Sequence, residues 1–359
     1  MNSQLLKISY LIGLLILVFS CTFDNKANNS GIRNGLENEH TKKEVVIFVY
    51  HRFGNAKYPS TNISLQDFEK HLSYLKSNHF KVLTFGEAVD YINDPSVPLY
   101  EKVACITVDD GYKTFKSNAI PLLDKYGFKA TLFINSESVG GGSFMNWEDL
   151  AEVKNHGIEI GNHSHSHAYF LNLQKSQRIN FFKQDLKLCQ EEIKKHLGFY
   201  PDVFAYPYGE YDLPMKGVLK ELGFKAGAAQ NSGVYYFDDN YSIPRFPMAG
   251  PYSKIEGFIE KANMKALRIK SKKPESPLLE NHNPPTLIIE FDSTGADLSR
   301  YNCFTTGECQ STISGYTLTI KAKNNLSNRR TLYKITAPGK EGKEWYWFSH
   351  LWIQPSIEE

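Results

Sequence analysis

Alternation of apolar strands with amphipathic helices is the feature of this sequence that most constrains its fold. From about residue 44 a strand, "VVIFVYH", is followed by an amphipathic helix, "SLQDFEKHLSYLKSN", and further pairs follow. A phrase then recurs in which a glycine ends a helix and an apolar strand follows, as in "YGFKATLFI" and "LGFKAGAAQ". Repeated strand–helix units predict a parallel sheet, and seven or eight strands favour a closed or nearly closed barrel. We therefore predict an α/β fold, a distorted (β/α)7-type barrel over residues 44–267.

The composition changes after the predicted barrel. Residues 268–286 are rich in lysine, proline and serine, which is typical of a linker. Residues 287–359 contain strand patterns such as "GYTLTIKA" and "EWYWFSHLWIQP" without helices between them. We predict a small all-β domain there, resembling a sandwich.

The N-terminus has the layout of an export signal. Lys7 precedes the apolar run "LIGLLILVFS", which ends at Cys21 and is short for a membrane-spanning helix. A cysteine at this place resembles a bacterial lipoprotein cleavage site, so residues 1–21 are predicted to be a signal that ends at the lipidated Cys21. The alternative is an uncleaved N-terminal anchor. Residues 22–43 are polar and predict a flexible tether, which holds the protein on the periplasmic or surface face of a bacterial membrane.

Export also sets the expected state of the cysteines and the expected partners. Cys303 and Cys309 flank the short turn-like segment "FTTGE" and are predicted to form a local disulfide. Cys105 and Cys189 lie in apolar surroundings and are interpreted as packing residues. The net charge of +2 gives no reason to expect a nucleic acid as partner. We expect a monomer whose partners are its substrate and the membrane.

Polar residues stand where the predicted strands end. Active sites of strand–helix barrels lie at the carboxyl ends of the strands, so residues at those ends are the first candidates. The candidates are His51, Asp109, Asp110, the three histidines of "GNHSHSHAYF", the segment Tyr206–Gly209, and Arg245 at a late strand end.

The adjacent carboxylates of Asp109 and Asp110 favour a metal ion. Side chains of neighbouring strand residues point in opposite directions, so the two can have different roles, and a nearby cation would relieve their repulsion. Asp110 with two histidines supplies the three protein ligands of a catalytic zinc site. If the chain turns helical after the strand, His163 and His167 share a face, whereas an extended chain would direct all three histidines, including His165, the same way.

Three motifs in order resemble a known family. "TVDDG", "HSHSH" and "FAYPYG" are similar to the motifs of polysaccharide deacetylases with the NodB homology domain, carbohydrate esterase family 4. The resemblance covers roughly residues 44–265, and "VYHRFG" with "YPSTNIS" is similar to the subgroup that acts on poly-N-acetylglucosamine. It implies the NodB-type barrel fold and a metal-dependent hydrolase.

The resemblance also implies roles for individual residues. Asp110, His163 and His167 would bind Zn²⁺, or another divalent metal such as Co²⁺, and Asp109 would be the general base. His165 would then have a structural role.

Four further positions are implied to serve the substrate. Ser164 matches the serine or threonine that positions the second motif. Tyr206, Pro207 and Tyr208 match the third motif, where the tyrosines would flank the sugar and a backbone N–H near Tyr208 would help to bind the oxyanion. For both tyrosines the alternative is packing within a loop.

The sequence departs from the family pattern in two places. The third motif usually has an arginine that contacts the base, and here that position is Ala205. Arg245 is our candidate to replace it, and a surface salt bridge is the alternative. The late histidine that often acts as general acid has no counterpart before residue 268, so His51 is our candidate for the acid or for a substrate contact.

The leading hypothesis is the removal of N-acetyl groups from an N-acetylglucosamine-containing polysaccharide. An O-acetyl esterase acting on xylan or a similar glycan would use the same residues. A non-catalytic, glycan-binding lipoprotein is the alternative from a different class. It would be favoured if a metal ligand or the base were missing, but all four residues are present.

Overall fold

The computed structural model describes residues 43–280, 282–292 and 295–358. The predicted signal, its lipidation site Cys21 and the tether up to residue 42 lie outside the described residues. Within the described ranges, the helices all lack the combination of length and apolar character that crossing a bilayer requires.

A curled, mostly parallel sheet forms the larger part of the molecule. Its order is β10-β1-β5-β6-β7-β8-β9, with β11 beside β1 and β4 beside β5, and only β10 pairs antiparallel. The strands of this part, including the small β2–β3 pair, are β1 (Val45–Tyr50), β2 (Arg52–Phe53), β3 (Asn62–Ile63), β4 (Lys81–Leu83), β5 (Val103–Val108), β6 (Thr131–Ile134), β7 (Glu159–Asn162), β8 (Val203–Ala205), β9 (Ala226–Ala228), β10 (Val234–Tyr235) and β11 (Phe246–Pro247).

The predicted α/β fold is confirmed, and the sheet is an open half-barrel rather than a closed barrel. Its described edges are β9 and β10. Every residue of β1 and β5 is buried, because this sheet is covered on both faces, as parallel sheets usually are. The carboxyl ends of β1 and β5 are adjacent, since Tyr50 pairs with Val108, and this places His51 next to the two aspartates.

Seven α-helices pack around this sheet in the described residues. They are α1 (Leu65–Ser77), α2 (Phe85–Asn93), α3 (Ile120–Tyr126), α4 (Trp147–Lys154), α5 (Lys175–Leu197), α6 (Leu213–Glu221) and α7 (Ile255–Ala262).

Local sequence signals explain where these helices begin and end. The hydroxyl of Ser64 caps α1 by accepting the N–H of Asp67, as its sequence predicts. Pro121 lies in the first turn of α3, where a proline is compatible with a helix. A π-helical turn over Phe115–Ala119 comes directly before α3, so the departure from regular helix precedes Pro121. Gly127 ends α3 with a φ of 68°, a conformation that glycine adopts without strain.

The C-terminal part consists of two four-stranded sheets in the orders β12-β19-β18-β15 and β13-β14-β17-β16. Apolar side chains such as Ile289, Ile320, Ile335 and Trp352 fill the space between them, as expected for a sandwich. The strands are β12 (Met264–Ala266), β13 (Ile269–Lys273), β14 (Thr286–Phe291), β15 (Asn302–Phe304), β16 (Cys309–Ser314), β17 (Thr317–Ala322), β18 (Arg330–Pro338) and β19 (Trp345–Ile353).

The expected linker at residues 268–286 is partly a strand of this sandwich. β13 pairs antiparallel with β14, and β12, expected to belong to the barrel domain, pairs with β19. β13 is an edge strand in which Lys270 and Lys273 are exposed, which explains its linker-like composition. Cys303 and Cys309 are joined by a disulfide in the same domain.

Candidate active site

Asp109 and Asp110 follow directly after β5, at the open end of the half-barrel. Asp109 is fully buried, and its N–H donates to the carbonyl of Tyr50 on the neighbouring strand. Asp110 has a φ of 77°, a left-handed conformation that is uncommon outside glycine and often occurs at functional sites. The reversal brings the Asp110 carboxylate beside two histidines from the loop that follows β7.

Asp110, His163 and His167 form a cluster that fits a metal ion. The Nε2 atoms of His163 and His167 lie 3.5 Å and 3.4 Å from Oδ1 of Asp110, and the three ligand atoms are all within 4.8 Å of one another. Two atoms that bind one tetrahedral zinc at about 2.0–2.1 Å are roughly 3.3–3.4 Å apart, so these separations suit a shared ion.

The second ring nitrogen of His163 supports the same interpretation. Its Nδ1 lies 2.7 Å from the carbonyl oxygen of Ala205. Donation of the Nδ1 proton to this carbonyl leaves the lone pair of Nε2 directed at the cluster, the arrangement typical of a metal-binding histidine. Burial opposes a charged imidazole, but hydrogen bonding to Asp110 and the charges of Asp109 and Asp110 together outweigh it and raise the pKa of His163. A cation would therefore compete with a proton at this nitrogen.

The histidine loop reaches this geometry without a helix. Neither the helical nor the extended conformation that we considered for this segment is present, because residues 163–167 form an irregular loop. Ser164 and His167 have φ values of 69° and 51°. Ser164 accepts the N–H of His167 through Oγ at 3.0 Å, and Asn162 accepts the N–H of Ser164 through Oδ1 at 2.7 Å. Side-chain hydrogen bonds thus fold the loop.

Asp185, on α5, is a residue that sequence reasoning missed. Its carboxylate accepts the N–H groups of His165 and Ser166, at 2.6 Å and 3.2–3.3 Å. The ring of His165 bonds the hydroxyl of Ser136 through Nδ1 at 2.8 Å and is not part of the metal cluster. Asp185 stands in an ordinary helical pattern, so no motif in the sequence marks it.

Arg245 lies in the barrel interior against Asp109. It precedes β11 rather than ending a strand, and neither side chain is exposed. Its Nη1 and Nη2 donate to the two Asp109 oxygens at 2.8 Å each. Nε donates to the carbonyl of Ala229, and Nη1 also donates to the hydroxyl of Thr107. Burial favours a protonated Asp109, but the charges of Arg245, His163 and His51 and the hydrogen bonds from Arg245 together outweigh this effect and lower the pKa of the carboxyl.

His51 lies at the end of β1, where its charge acts on both aspartates and would lower their pKa values. Its Nδ1 is buried and has no hydrogen-bond partner among the described residues. The next residue, Arg52, is stacked between the rings of Tyr58 and Tyr112, with its Cζ 4.0 Å and 3.4 Å from their centroids. This stack was not expected from the sequence.

The four residues that were predicted to serve the substrate differ in whether they can reach it. Tyr208 lies at the site: it is half-buried, and its ring centroid is 4.6 Å from that of His167. Tyr206 is fully buried, and its hydroxyl donates to the carbonyl of Tyr241, so the prediction of a sugar contact is wrong. Pro207 and Ser164 are also buried, so neither can touch a polymer; Ser164 instead shapes the histidine loop.

Comparison with known proteins adds to this geometry. Residues 96–227, which include both aspartates and the histidine loop, match the family model described as polysaccharide deacetylase. The chain is 28% identical over 200 residues to the putative polysaccharide deacetylase YxkH of Bacillus subtilis, covering 55% of this chain and 69% of that protein. It is 28% identical over 212 residues to the poly-beta-1,6-N-acetyl-D-glucosamine N-deacetylase of Staphylococcus aureus, covering 55% of this chain and 71% of that protein.

Solved structures share the same architecture. IcaB from Ammonifex degensii matches with a TM-score of 0.53 and 26% identity, over 61% of this chain and 97% of that chain. His51 and Arg245 lie outside the segment that the family model matches, so their contribution rests on the geometry described above. Sequence, fold and the arrangement of the aspartates and histidines agree, and they identify a polysaccharide deacetylase domain in this chain, with residues 96–227 matching the family model.

Proposed function

We propose that this protein removes N-acetyl groups from an N-acetylglucosamine-containing polysaccharide with the help of a divalent metal ion. The proposed ion is Zn²⁺, and Co²⁺ could replace it. The observation that carries the proposal is the cluster of Asp110, His163 and His167 directly beside a carboxylate, Asp109, that an arginine keeps ionised. The similarity to a poly-beta-1,6-N-acetyl-D-glucosamine N-deacetylase supports the choice of an amino-sugar polymer.

Asp110, His163 and His167 would hold the ion. When bound, it would polarise the amide carbonyl and lower the pKa of a water molecule. Asp109 accepts the proton of the attacking water, because each of its oxygens keeps an acceptor position besides the one used by Arg245. Arg245 fixes the orientation of that carboxylate through two parallel hydrogen bonds.

The remaining steps concern the leaving amine and the oxyanion. The oxygen of water bonds to the acyl carbon, the C–N bond breaks, and the amine leaves with a proton while acetate is released. We assign the donation of that proton to His51, whose buried Nδ1 has no partner among the described residues. The amides of Gly209 and Glu210 donate to carbonyls of their own turn, so we assign the N–H of Tyr208 to the oxyanion.

Acetate release from a panel of substrates tests the proposal. The panel contains β-1,6-linked N-acetylglucosamine oligomers, chitooligosaccharides, peptidoglycan and acetylxylan, and Asp110→Asn serves as the inactive control. We expect release from an N-acetylated amino sugar, and loss of that release in the control. Release from acetylxylan alone would favour an O-acetyl esterase, and release from none would favour a non-catalytic glycan-binding protein.

We also propose the location of this activity. The sequence pattern ending at Cys21 supports a lipid-anchored protein on the periplasmic or surface face of a bacterial membrane, acting as a monomer on polymer in the cell envelope.

A further inference from the structure

Two arginines of the C-terminal domain are bound to a loop of the active site. Arg330 is the first residue of β18 and Arg329 directly precedes it, and Glu210 lies two residues after Tyr208. Arg329 donates to both Glu210 oxygens through Nε and Nη2, at 2.6 Å and 2.8 Å. Arg330 donates through Nη1 to Oε1 of the same carboxylate at 3.0 Å. The sandwich therefore meets the half-barrel beside the candidate metal site.

Aromatic rings connect these arginines to the metal cluster. The Cζ atom of Arg329 lies 4.5 Å from the ring centroid of Tyr169. Tyr169 stacks on Tyr208 with centroids 3.7 Å apart and an interplanar angle of 6°, and Tyr208 in turn contacts His167. Arg330 has its Cζ 5.8 Å from the Tyr208 centroid, so a single aromatic ring separates it from a candidate metal ligand.

The two arginines differ in their exposure to solvent. All the donor atoms of Arg329 are used: besides Glu210, they bond the carbonyls of Pro355 and Ile357 and the side chain of Asn172. Its side chain is 3% exposed, so Arg329 is fixed in the contact between the sandwich and the loop that carries Glu210. Arg330 keeps 25% of its side chain exposed next to Tyr208.

We propose that Arg330 is a substrate-binding residue, which donates hydrogen bonds to the sugar next to the one that is deacetylated. The C-terminal domain would then be one wall of the active site rather than a separate module. The hydroxyl and acetamido oxygens of an amino sugar are acceptors for a guanidinium, and the half-buried ring of Tyr208 offers apolar surface to the C–H groups of a pyranose. The inference rests on the proposed function, since it requires a carbohydrate substrate.

The kinetics of Arg330→Gln test this inference, with Arg300→Gln as the matched control. Arg300 is an exposed arginine of the same domain near the opposite end of β18, where Asp297 bonds Pro338. The substrates are a β-1,6-linked pentamer of N-acetylglucosamine and 4-nitrophenyl acetate, which has no second sugar. We expect KM for the pentamer to rise about tenfold or more in Arg330→Gln, the scale of a lost charged hydrogen bond. Turnover of 4-nitrophenyl acetate should stay within about twofold of the parent, and Arg330→Lys should be intermediate.

Two results would overturn the inference. One is equal KM values for the pentamer in Arg330→Gln and Arg300→Gln. The other is an equal loss on both substrates, which would place the effect of Arg330 at the metal centre or on folding; thermal unfolding of each variant identifies the latter.

A binding measurement separates this inference from the proposed function. Calorimetric titration of the pentamer into chelator-treated protein needs no turnover. A parent that deacetylates none of the substrates refutes the proposed function, whereas the inference then stands or falls on whether Kd for the pentamer is weaker in Arg330→Gln than in Arg300→Gln. If Arg330→Gln is unstable, the same comparison is made with Arg330→Lys.

Discussion

Replacement of Arg245 by alanine tests the central feature of the site, the fully buried pair of Arg245 and Asp109. The substitution removes two charge-assisted hydrogen bonds of 2.8 Å each and leaves the Asp109 carboxylate without its cation. Arg245 also bonds the carbonyl of Ala229 and the hydroxyl of Thr107, so both groups lose a donor.

The expected losses of stability and turnover in Arg245→Ala follow from the burial of the ion pair. Removing one partner of a buried ion pair typically costs about 3–5 kcal/mol, because a charge remains without compensation. Asp109 can avoid part of this cost by taking up a proton, since Arg245 is the main influence that lowers its pKa against burial. A protonated Asp109 cannot accept the proton of water, so turnover should fall by about 10²-fold or more.

The assay measures three quantities on the same preparations: acetate release, bound metal by elemental analysis, and the free energy of unfolding in urea. Arg245→Ala should lose turnover and stability but keep its metal, because the ligands Asp110, His163 and His167 are untouched. Arg245→Lys should recover only part of the turnover, since an ammonium lacks the planar fork that matches a carboxylate.

A double variant separates the lost charge from the lost packing. Combining Arg245→Met with Asp109→Asn removes both charges, so the combination should be more stable than Arg245→Met alone, although it is inactive. The reasoning is refuted if Arg245→Ala turns over like the parent, or if the added Asp109→Asn lowers stability further.

Four further expectations concern the metal, the histidines, pH and anchoring. Exhaustive chelation should abolish acetate release and added zinc or cobalt should restore it; full turnover by protein shown to be metal-free would contradict this. His165→Ala should keep most of the bound metal while His163→Ala and His167→Ala lose it, and equal losses would mean that the loop binds differently in solution. Burial lowers the pKa of His71 to about 4 from 6.5, so the unfolded chain binds a proton that the folded chain does not. The contribution of His71 to the free energy of unfolding is therefore intact above pH 6.5 and is lost as the pH falls towards 4, by about 2 kcal/mol at pH 5. Urea unfolding of His71→Gln should lack this loss. Cys21→Ser should block labelling by radioactive fatty acid, and continued labelling would exclude a lipid at this residue.

The fold and the principal site residues could be predicted because their signals are local. Alternating strands and helices predict a parallel sheet, and the carboxyl ends of parallel strands meet at one edge. Asp110, His163 and His167 each follow a strand within a few residues, so topology alone brings them together. The histidine pair was selected on the resemblance to the family, whereas the chain adopts neither the helical nor the extended conformation that we considered.

Other features could not be predicted because they depend on contacts between distant parts of the chain. Asp185 supports the histidine loop from the middle of α5, and β13 is a strand only because β14 lies beside it. For Tyr206, a match to a motif led to a wrong prediction. Its motif is similar to one that surrounds a substrate, yet its ring packs against Phe204 and Tyr211 in the core, which only the path of the chain after β8 decides.

The replacement of the missing arginine shows why spatial position matters more than place in a motif. Ala205 has no side chain that could reach Asp109, but its carbonyl orients His163. The guanidinium instead comes from Arg245, which precedes β11, a strand that pairs with β1 on the side opposite to β5. From there it crosses the barrel interior to Asp109. A nearby cation keeps a buried carboxylate ionised, and any strand that delivers one to this place can serve Asp109. Introducing arginine at position 205 should therefore restore part of the turnover that Arg245→Ala loses, and no recovery would refute the idea that a guanidinium from another strand can serve Asp109.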